Sequence, residues 1–213
     1  MRPRLLDLFC GAGGAAMGYH RAGFDVVGVD LDPKMLRQYP FPCVRADAMT
    51  FSLRGFDAVH ASPPCQDFSC MCRATGKDHG TGWMLQATID RLSGFEGAWV
   101  VENVPGAPFD ANLVLCGESF GLAVIRHRLF MTRPFLLGPQ CHHDRNGIFG
   151  TGRYVAFRRG KSPHTGKRPI RENTRSAFRD AMGIDWMGTV PAAQAIPPAY
   201  TEWIGKQLLE QIS

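Results

Sequence analysis

The chain has 213 residues, 45% of them apolar and 20% charged, the size and mixture of one globular domain with its own core. No run of about 18 uninterrupted apolar residues occurs, so no membrane partner is expected; Met1-Arg2-Pro3-Arg4 passes straight into Leu5-Leu6-Asp7-Leu8-Phe9, without the apolar stretch of a secretory signal. The net charge of +5 is unevenly spread: residues 126–179 hold 13 of the 24 Lys and Arg and two of the 19 acids, a local +11 against −6 for the remainder, as in a polyanion-facing segment on an acidic body.

In chain order, residues 4–9 predict a strand, followed by a turn of Gly11, Gly13 and Gly14 and a helix over 15–22 that Gly23 ends. Residues 25–29 form an apolar, β-branched run of the kind found in buried parallel strands. Pro33 marks a helix start before 34–37. Short strands are expected at 43–45, 56–61 and 98–101, with a helix at 83–92 between the last two. This alternation predicts an α/β fold with an open parallel sheet covered on both faces. Residues 134–175 are rich in Gly, Pro, Arg and His with no sustained period, and helices resume at 176–182 and 203–212.

The seven cysteines are odd in number and show no paired framework, so reduced thiols are expected. Neither Cys70-Met71-Cys72 nor Cys141-His142-His143 has the CxxC or HxxxH spacing of common structural sites, so no metal is expected.

Four constellations carry chemistry. The first is Asp7-Leu8-Phe9-Cys10-Gly11-Ala12-Gly13-Gly14, a glycine turn between first strand and first helix that lets backbone approach a nucleotide-like ligand. Asp30 follows 17 residues after Gly13 and can accept from both hydroxyls of a ribose. The full GxGxxG pattern is absent, which fits a ligand with a ribose but no pyrophosphate, such as S-adenosylmethionine; a purely structural glycine turn is the alternative. Asp47 adds an acid placed to meet an adenine amino group. The second is Ser62-Pro63-Pro64-Cys65-Gln66-Asp67-Phe68-Ser69, where prolines fix the backbone and Cys65 leaves the carboxyl end of a strand as a candidate nucleophile, a small core residue being the alternative. The third is Val101-Glu102-Asn103-Val104-Pro105, with Glu102 at a strand end as a candidate to hold or donate a proton to a ring nitrogen, a capping or salt-bridged acid being the alternative. The fourth is Arg126-His127-Arg128-Leu129-Phe130, whose alternate arginines share one face and suit a carbonyl oxygen or phosphate, as they would a solvated strand face.

In this order the segments resemble the cytosine-C5 DNA methyltransferases, compact phage-like or restriction-modification members in particular. Pro64-Cys65-Gln66 is similar to the family's Pro-Cys-Gln, Glu102-Asn103-Val104 to its Glu-Asn-Val, and Arg126-x-Arg128 to its Gln-x-Arg-x-Arg motif, with Val124 where the glutamine usually stands. Gln194-Ala195-Ile196-Pro197-Pro198 resembles the last motif, with Gln194 in place of the usual asparagine. The resemblance implies a Rossmann-like S-adenosylmethionine-dependent methyltransferase fold with a short, irregular target-recognition region. It divides the chain into a catalytic and cofactor-binding domain (1–133), a recognition region (134–175) and a C-terminal segment returning to the catalytic domain (176–213). It further implies catalysis by Cys65, Glu102, Arg126 and Arg128, with Cys65 adding to C6 of a flipped cytosine, Glu102 serving N3 and the exocyclic amine, and Arg128 the O2 side. S-adenosylmethionine would be held by Asp7, Phe9, Cys10 and Gly11, by Ala12, Gly13 and Gly14, by Asp30, Leu31, Asp47 and Ala48, and by Pro64, Gln194 and Ile196.

Double-stranded DNA is the implied partner, with a monomer working in the cytoplasm of a bacterial or phage-infected cell, associated with the nucleoid. Candidate DNA contacts are Gln66, Ser69, Arg145, Asn146, Arg153, Arg158, Arg159 and Lys161, which would read bases or only neutralise phosphates. Two other readings stand: methylation of cytosine in tRNA, since relatives acting on tRNA share this core, and a non-catalytic DNA-binding protein on the same scaffold.

Overall fold

The computed structural model describes residues 1–68, 79–142 and 175–212. Its strands are β1 (Arg4–Leu8), β2 (Asp25–Asp30), β3 (Cys43–Arg45), β4 (Ala58–Ala61), β5 (Ala98–Asn103), β6 (Leu113–Leu115) and β7 (Arg128–Arg133). Its helices are α1 (Gly14–Ala22), α2 (Pro33–Leu36), α3 (Trp83–Ser93), α4 (Arg175–Met182), α5 (Thr189–Gln194) and α6 (Pro198–Ile212). The seven strands form one sheet in the order β3-β2-β1-β4-β5-β7-β6.

The strands and helices expected from the sequence are present, most with ends moved by only a residue or two. Two differences have physical causes. The sheet is not wholly parallel: β7 pairs antiparallel with both β5 and β6. No α-helix lies between β5 and β6 or between β6 and β7, and parallel pairing needs a crossover of a dozen or more residues, usually helical. The last helix begins at Pro198, five residues before the predicted start, because Pro198-Ala199-Tyr200-Thr201 lacks a marked apolar period yet is buried against α1. The irregular recognition region expected over 134–175 falls largely outside the described residues.

Period-two alternation divides the core between the two sheet faces. On β1, Leu5 joins a cluster with Tyr19, Phe24, Tyr200 and Ile204 of the α1 and α6 side, whereas Leu6 and Leu8 join Leu85, Ile89 and Leu92 of α3 on the other. On β5, Ala98 and Val100 face the first cluster and Trp99 and Val101 the second. A third cluster joins Ala12 and Val124 to Phe178, Met182, Ile184 and Met187, so the C-terminal segment packs on the glycine turn.

Helices α1 and α6 approach through small residues. A Cβ on Gly18 would lie 2.1 Å from both the Pro198 carbonyl oxygen and Thr201 Oγ1, and one on Gly205 would lie 2.7 Å from the Ala22 Cβ. The approach is fixed by the buried Thr201 hydroxyl, which donates to the Ala15 carbonyl at 2.8 Å. Overpacking typically costs about 1–3 kcal/mol, and the Gly18 clash is with backbone that cannot swing aside. Gly18→Ala is therefore expected to lower stability by about 2 kcal/mol or more in denaturant unfolding, and an unchanged midpoint would contradict this packing.

Candidate functional site

The carboxyl ends of β1, β2 and β4 lie side by side at one edge of the sheet, the position of the ligand-binding crevice in open α/β sheets. After β1 the chain turns sharply: Phe9 (φ 57°), Gly11 (φ 52°) and Gly13 (φ 86°) are left-handed. Asp30, at the end of β2, organises the turn, its Oδ2 accepting from Gly11 N–H and its Oδ1 from Asp32 N–H, both at 2.9 Å. Each carboxylate oxygen keeps a further lone pair for a ligand hydroxyl. Asp47 is exposed beside it, with Oδ1 accepting from Met49 N–H at 2.9 Å. The guanidinium of Arg91 on α3 steadies this loop by donating to the carbonyls of Ala48 and Phe51.

The residues predicted to hold a cofactor fall into two groups. Phe9, Gly11, Asp30, Leu31 and Asp47 lie at the opening; Leu31 is 61% exposed, and a Cβ on Gly11 would meet nothing within 4 Å. Asp7, Cys10, Ala12, Gly13, Gly14 and Ala48 are buried behind it. Burial raises the Asp7 carboxyl to about 8, against the lowering effect of the Tyr39 hydroxyl that donates to it at 3.2 Å, with Asp30 nearby pushing it further up. Burial likewise pushes the Cys10 thiol up. From the C-terminal segment, Trp186 Nε1 donates to the Ala12 carbonyl at 3.0 Å, and the Ile196 carbonyl lies 2.6 Å from where a Gly14 Cβ would stand. Gln194 is exposed at the end of α5.

The second half of the crevice lies between β4, β5 and β7. Half-buried Cys65 and Pro64 follow β4. The turn after them is tied to the start of α3 by Asp67, which accepts from His79 N–H at 2.6 Å and from Thr81 N–H and Oγ1 at 2.7 and 2.9 Å. Gln66 is exposed there. Asn103 Nδ2 donates to the Pro63 carbonyl at 3.2 Å, fastening the proline-cysteine loop to β5. Glu102 is buried at the end of β5 and forms an ion pair with Arg128, Nε to Oε1 2.9 Å. Burial raises the Glu102 carboxyl above the ordinary carboxylate range, and Arg128, the Ser62 hydroxyl and Arg126 offset part of the rise. Burial and then the Glu102 charge push the Cys65 thiol up, while Arg128 and Arg126 pull it down, so the resting side chain is a thiol rather than the thiolate that nucleophilic attack requires.

Arg126 does not share the position of Arg128. Its guanidinium donates to the Ala193 carbonyl at 2.8 Å and its own carbonyl accepts from the Tyr200 hydroxyl, so it joins this half of the crevice to the C-terminal segment. Burial, together with neighbouring Arg128, lowers it to about 9. Val124, where the resembled family usually has glutamine, is buried in the third core cluster. Ser69, Arg145, Asn146, Arg153, Arg158, Arg159 and Lys161 lie outside the described residues.

His60 carries no local sequence signal. It lies on the same sheet face as Asp7 and Glu102, fully buried, with Nδ1 3.0 Å from the Tyr19 hydroxyl and Nε2 2.8 Å from Ser62 Oγ, and Ser62 in turn hydrogen-bonds Glu102. The row Tyr19–His60–Ser62–Glu102–Arg128 thus fixes the carboxylate from behind. A buried histidine at a β-strand centre looks like any other strand residue in sequence; only the registers Asp7↔His60 and His60↔Val100 reveal the row.

The seven-stranded mixed sheet has the Rossmann-like fold of S-adenosylmethionine-dependent methyltransferases. The structure is similar to an E. coli prophage-encoded protein described as a DNA modification methyltransferase (16% identity, TM-score 0.69, covering 98% of this chain and 99% of that one). It is also similar to Dnmt2 methyltransferase of S. pombe (13% identity, TM-score 0.64, covering 100% of both chains). Curated relatives include Type II methyltransferase M.AquIA of Picosynechococcus sp., 29% identical over 50% of this chain and 50% of that protein, and M.XorII of Xanthomonas oryzae pv. oryzae, 34% identical over 32% and 20%. The chain thus spans about half, or less, of the length of these relatives. The profile of C-5 cytosine-specific DNA methylases matches residues 3–109, half of the chain, and the chain belongs to that family. Its cofactor is S-adenosylmethionine, and the opening fits it: a carboxylate with free lone pairs, an exposed apolar side chain and open space beside the glycine turn suit a nucleoside without phosphate. Among the described residues no helix is long and apolar enough to cross a membrane.

Asp30→Ala is expected to weaken S-adenosylmethionine binding about tenfold or more in calorimetry, since hydrogen bonds to a charged group contribute about 1.5–3 kcal/mol; unchanged affinity would remove Asp30 from the binding site. A pH effect follows from His60, which burial lowers from 6.5 to about 3. The folded state keeps it neutral while the unfolded state takes up a proton, so its contribution is complete above about 6.5 and is lost as pH falls toward 3. His60→Asn is expected to be less stable at neutral pH yet to lose less on acidification across that window, a slope difference of up to about 1.4 kcal/mol per pH unit; equal slopes in pH-dependent unfolding would refute the assignment.

Proposed function

We propose that the chain transfers a methyl group from S-adenosylmethionine to C5 of a cytosine flipped out of duplex DNA, through a covalent adduct with Cys65. The observation that carries this reading is the buried Glu102–Arg128 pair, 2.9 Å apart at one strand end, with the half-buried Cys65 thiol responding to both charges. Family membership and the similarity to proteins named as DNA methyltransferases support it.

C5 of cytosine is too weak a nucleophile to accept a methyl group unaided. Addition of the Cys65 sulfur to C6 makes C5 electron-rich, and a proton passing from Glu102 to N3 neutralises the charge that develops. The raised Glu102 carboxyl is suited to hold that proton, and Arg128 beside it can meet the cytosine oxygen while keeping the carboxyl in place. Arg128 and Arg126 favour loss of the Cys65 proton, opposing burial and Glu102. S-adenosylmethionine would be held by Asp30 and the glycine turn and would supply the electrophilic methyl group, its sulfur leaving as a neutral thioether. Removal of the C5 proton and expulsion of Cys65 then restore the ring. C5 is inaccessible within a stack, so the base must leave the duplex. Residues 134–175 are proposed to contact the DNA, their cationic excess neutralising phosphates, while residues 176–213 complete the catalytic body.

Cys65→Ser is expected to abolish methyl transfer from labelled cofactor to duplex DNA while DNA binding persists; equal activity would overturn the nucleophile assignment. A duplex containing 5-fluorocytosine is expected to trap a covalent complex stable to denaturing electrophoresis, because fluorine cannot leave as a cation. Label appearing in tRNA and not in DNA would replace this substrate with RNA.

A further inference from the structure

Three residues that the proposed mechanism does not use come together beside the start of β7. Cys116 caps the 3₁₀ turn Gly117–Phe120 after β6, His127 immediately precedes β7, and Cys141 lies in the segment after β7. One donor atom from each, two sulfurs and an imidazole nitrogen, lies within 4.8 Å of the others. Among the described residues this is the sole group of three or more such donors. Cys116 is buried and the other two are half-buried, so the donors converge inside the protein rather than on an open surface.

The Cys141–His127 separation matches a coordination shell. Zinc binds thiolate sulfur at about 2.3 Å and imidazole nitrogen at about 2.0–2.1 Å, and tetrahedral angles then place neighbouring sulfur and nitrogen about 3.6 Å apart. Cys141 Sγ and His127 Nε2 are 3.5 Å apart. The two loops are also held in register without any ion: His142 N–H donates to Glu118 Oε2 and the Ser119 hydroxyl to the Gln140 carbonyl, both at 3.1 Å. The short-range pattern around Cys141 had predicted no metal, because its partners come from 14 and 25 residues upstream, outside any compact motif.

We propose that Cys116, His127 and Cys141 form a binding site for a thiophilic divalent cation of the zinc class. Two thiolates and a neutral imidazole match the borderline-soft character of that ion, and three protein donors leave one tetrahedral position for a further donor. The bound ion joins the β6–β7 connection to the entry of the basic segment. It also pins the backbone at His127, between Arg126 and Arg128, so it stiffens the stretch that delivers both arginines.

The test is the metal content of the full chain, purified under reductant without chelator. Mass-spectrometric metal analysis is expected to find about one zinc per chain. Cys116→Ser and Cys141→Ser are each expected to lower zinc affinity by about tenfold or more, whereas Cys43→Ser, at an exposed thiol outside the cluster, retains the ion. Titration of the folded, zinc-stripped wild-type protein with cobalt(II) gives a readout independent of variant folding: visible bands of tetrahedral cobalt and sulfur-to-cobalt charge transfer are expected. Absence of both zinc and these bands overturns the site, as does zinc that persists undiminished in both serine variants. A Cys116–Cys141 disulfide in place of the ion, found by non-reducing peptide mapping, overturns it as well.

Discussion

A carboxylate buried at the end of β5 imposes most of what surrounds it. Glu102 is 6% exposed, and an ionised carboxyl so enclosed is strongly unfavourable unless paired. The pairing requires a cation from a neighbouring strand, and β7 provides it by running antiparallel to β5, with Glu102 opposite Phe130 and Arg128 just beyond the strand end. A parallel β7 would have required a crossover helix, and the connection from β5, which carries Cys116 and His127, contains no α-helix. The reversal of β7 is therefore what brings Arg128 to Glu102, and the electrostatic balance at Cys65 follows from that pair.

From behind, the same carboxyl is held by a polar row inside an apolar layer. Ser62, His60 and Tyr19 satisfy one another, and each can do so because every second residue of β1, β4 and β5 points to the α1 and α6 side. Neutral histidine is well suited here, since one ring nitrogen donates while the other accepts. Asp7 is accommodated on the same face by Tyr39 and by a carboxyl that burial raises to about 8. Rigid backing of this kind holds a carboxyl in place without exposing it to water.

The C-terminal segment is structural to the site although it comes last in the chain. α6 packs on α1 through glycine contacts, Trp186 holds the glycine turn, and Ala193 and Tyr200 hold Arg126. The two halves of the crevice are thereby referred to one another through Ala12 and Arg126.

Much of the fold was legible because its signals are local. Apolar runs of strand length, the glycine turn, Pro33 and the helix period at 83–92 each act within a few residues, and the positions of Cys65, Glu102 and Asp30 at strand ends follow from them. The amino-acid sequence by itself therefore determined the alternation of elements, the opposed charges of body and basic segment, and the motifs that place the chain in its family. Tertiary structure alone decided the direction of β7, the separate duties of Arg126 and Arg128, the His60 row and the meeting of Cys116, His127 and Cys141. Each of these depends on register or on contact between distant segments, which residue order does not encode locally. The protonation of Cys65 and Glu102 belongs with them, because burial sets it and burial exists only after the sheet has closed around the site.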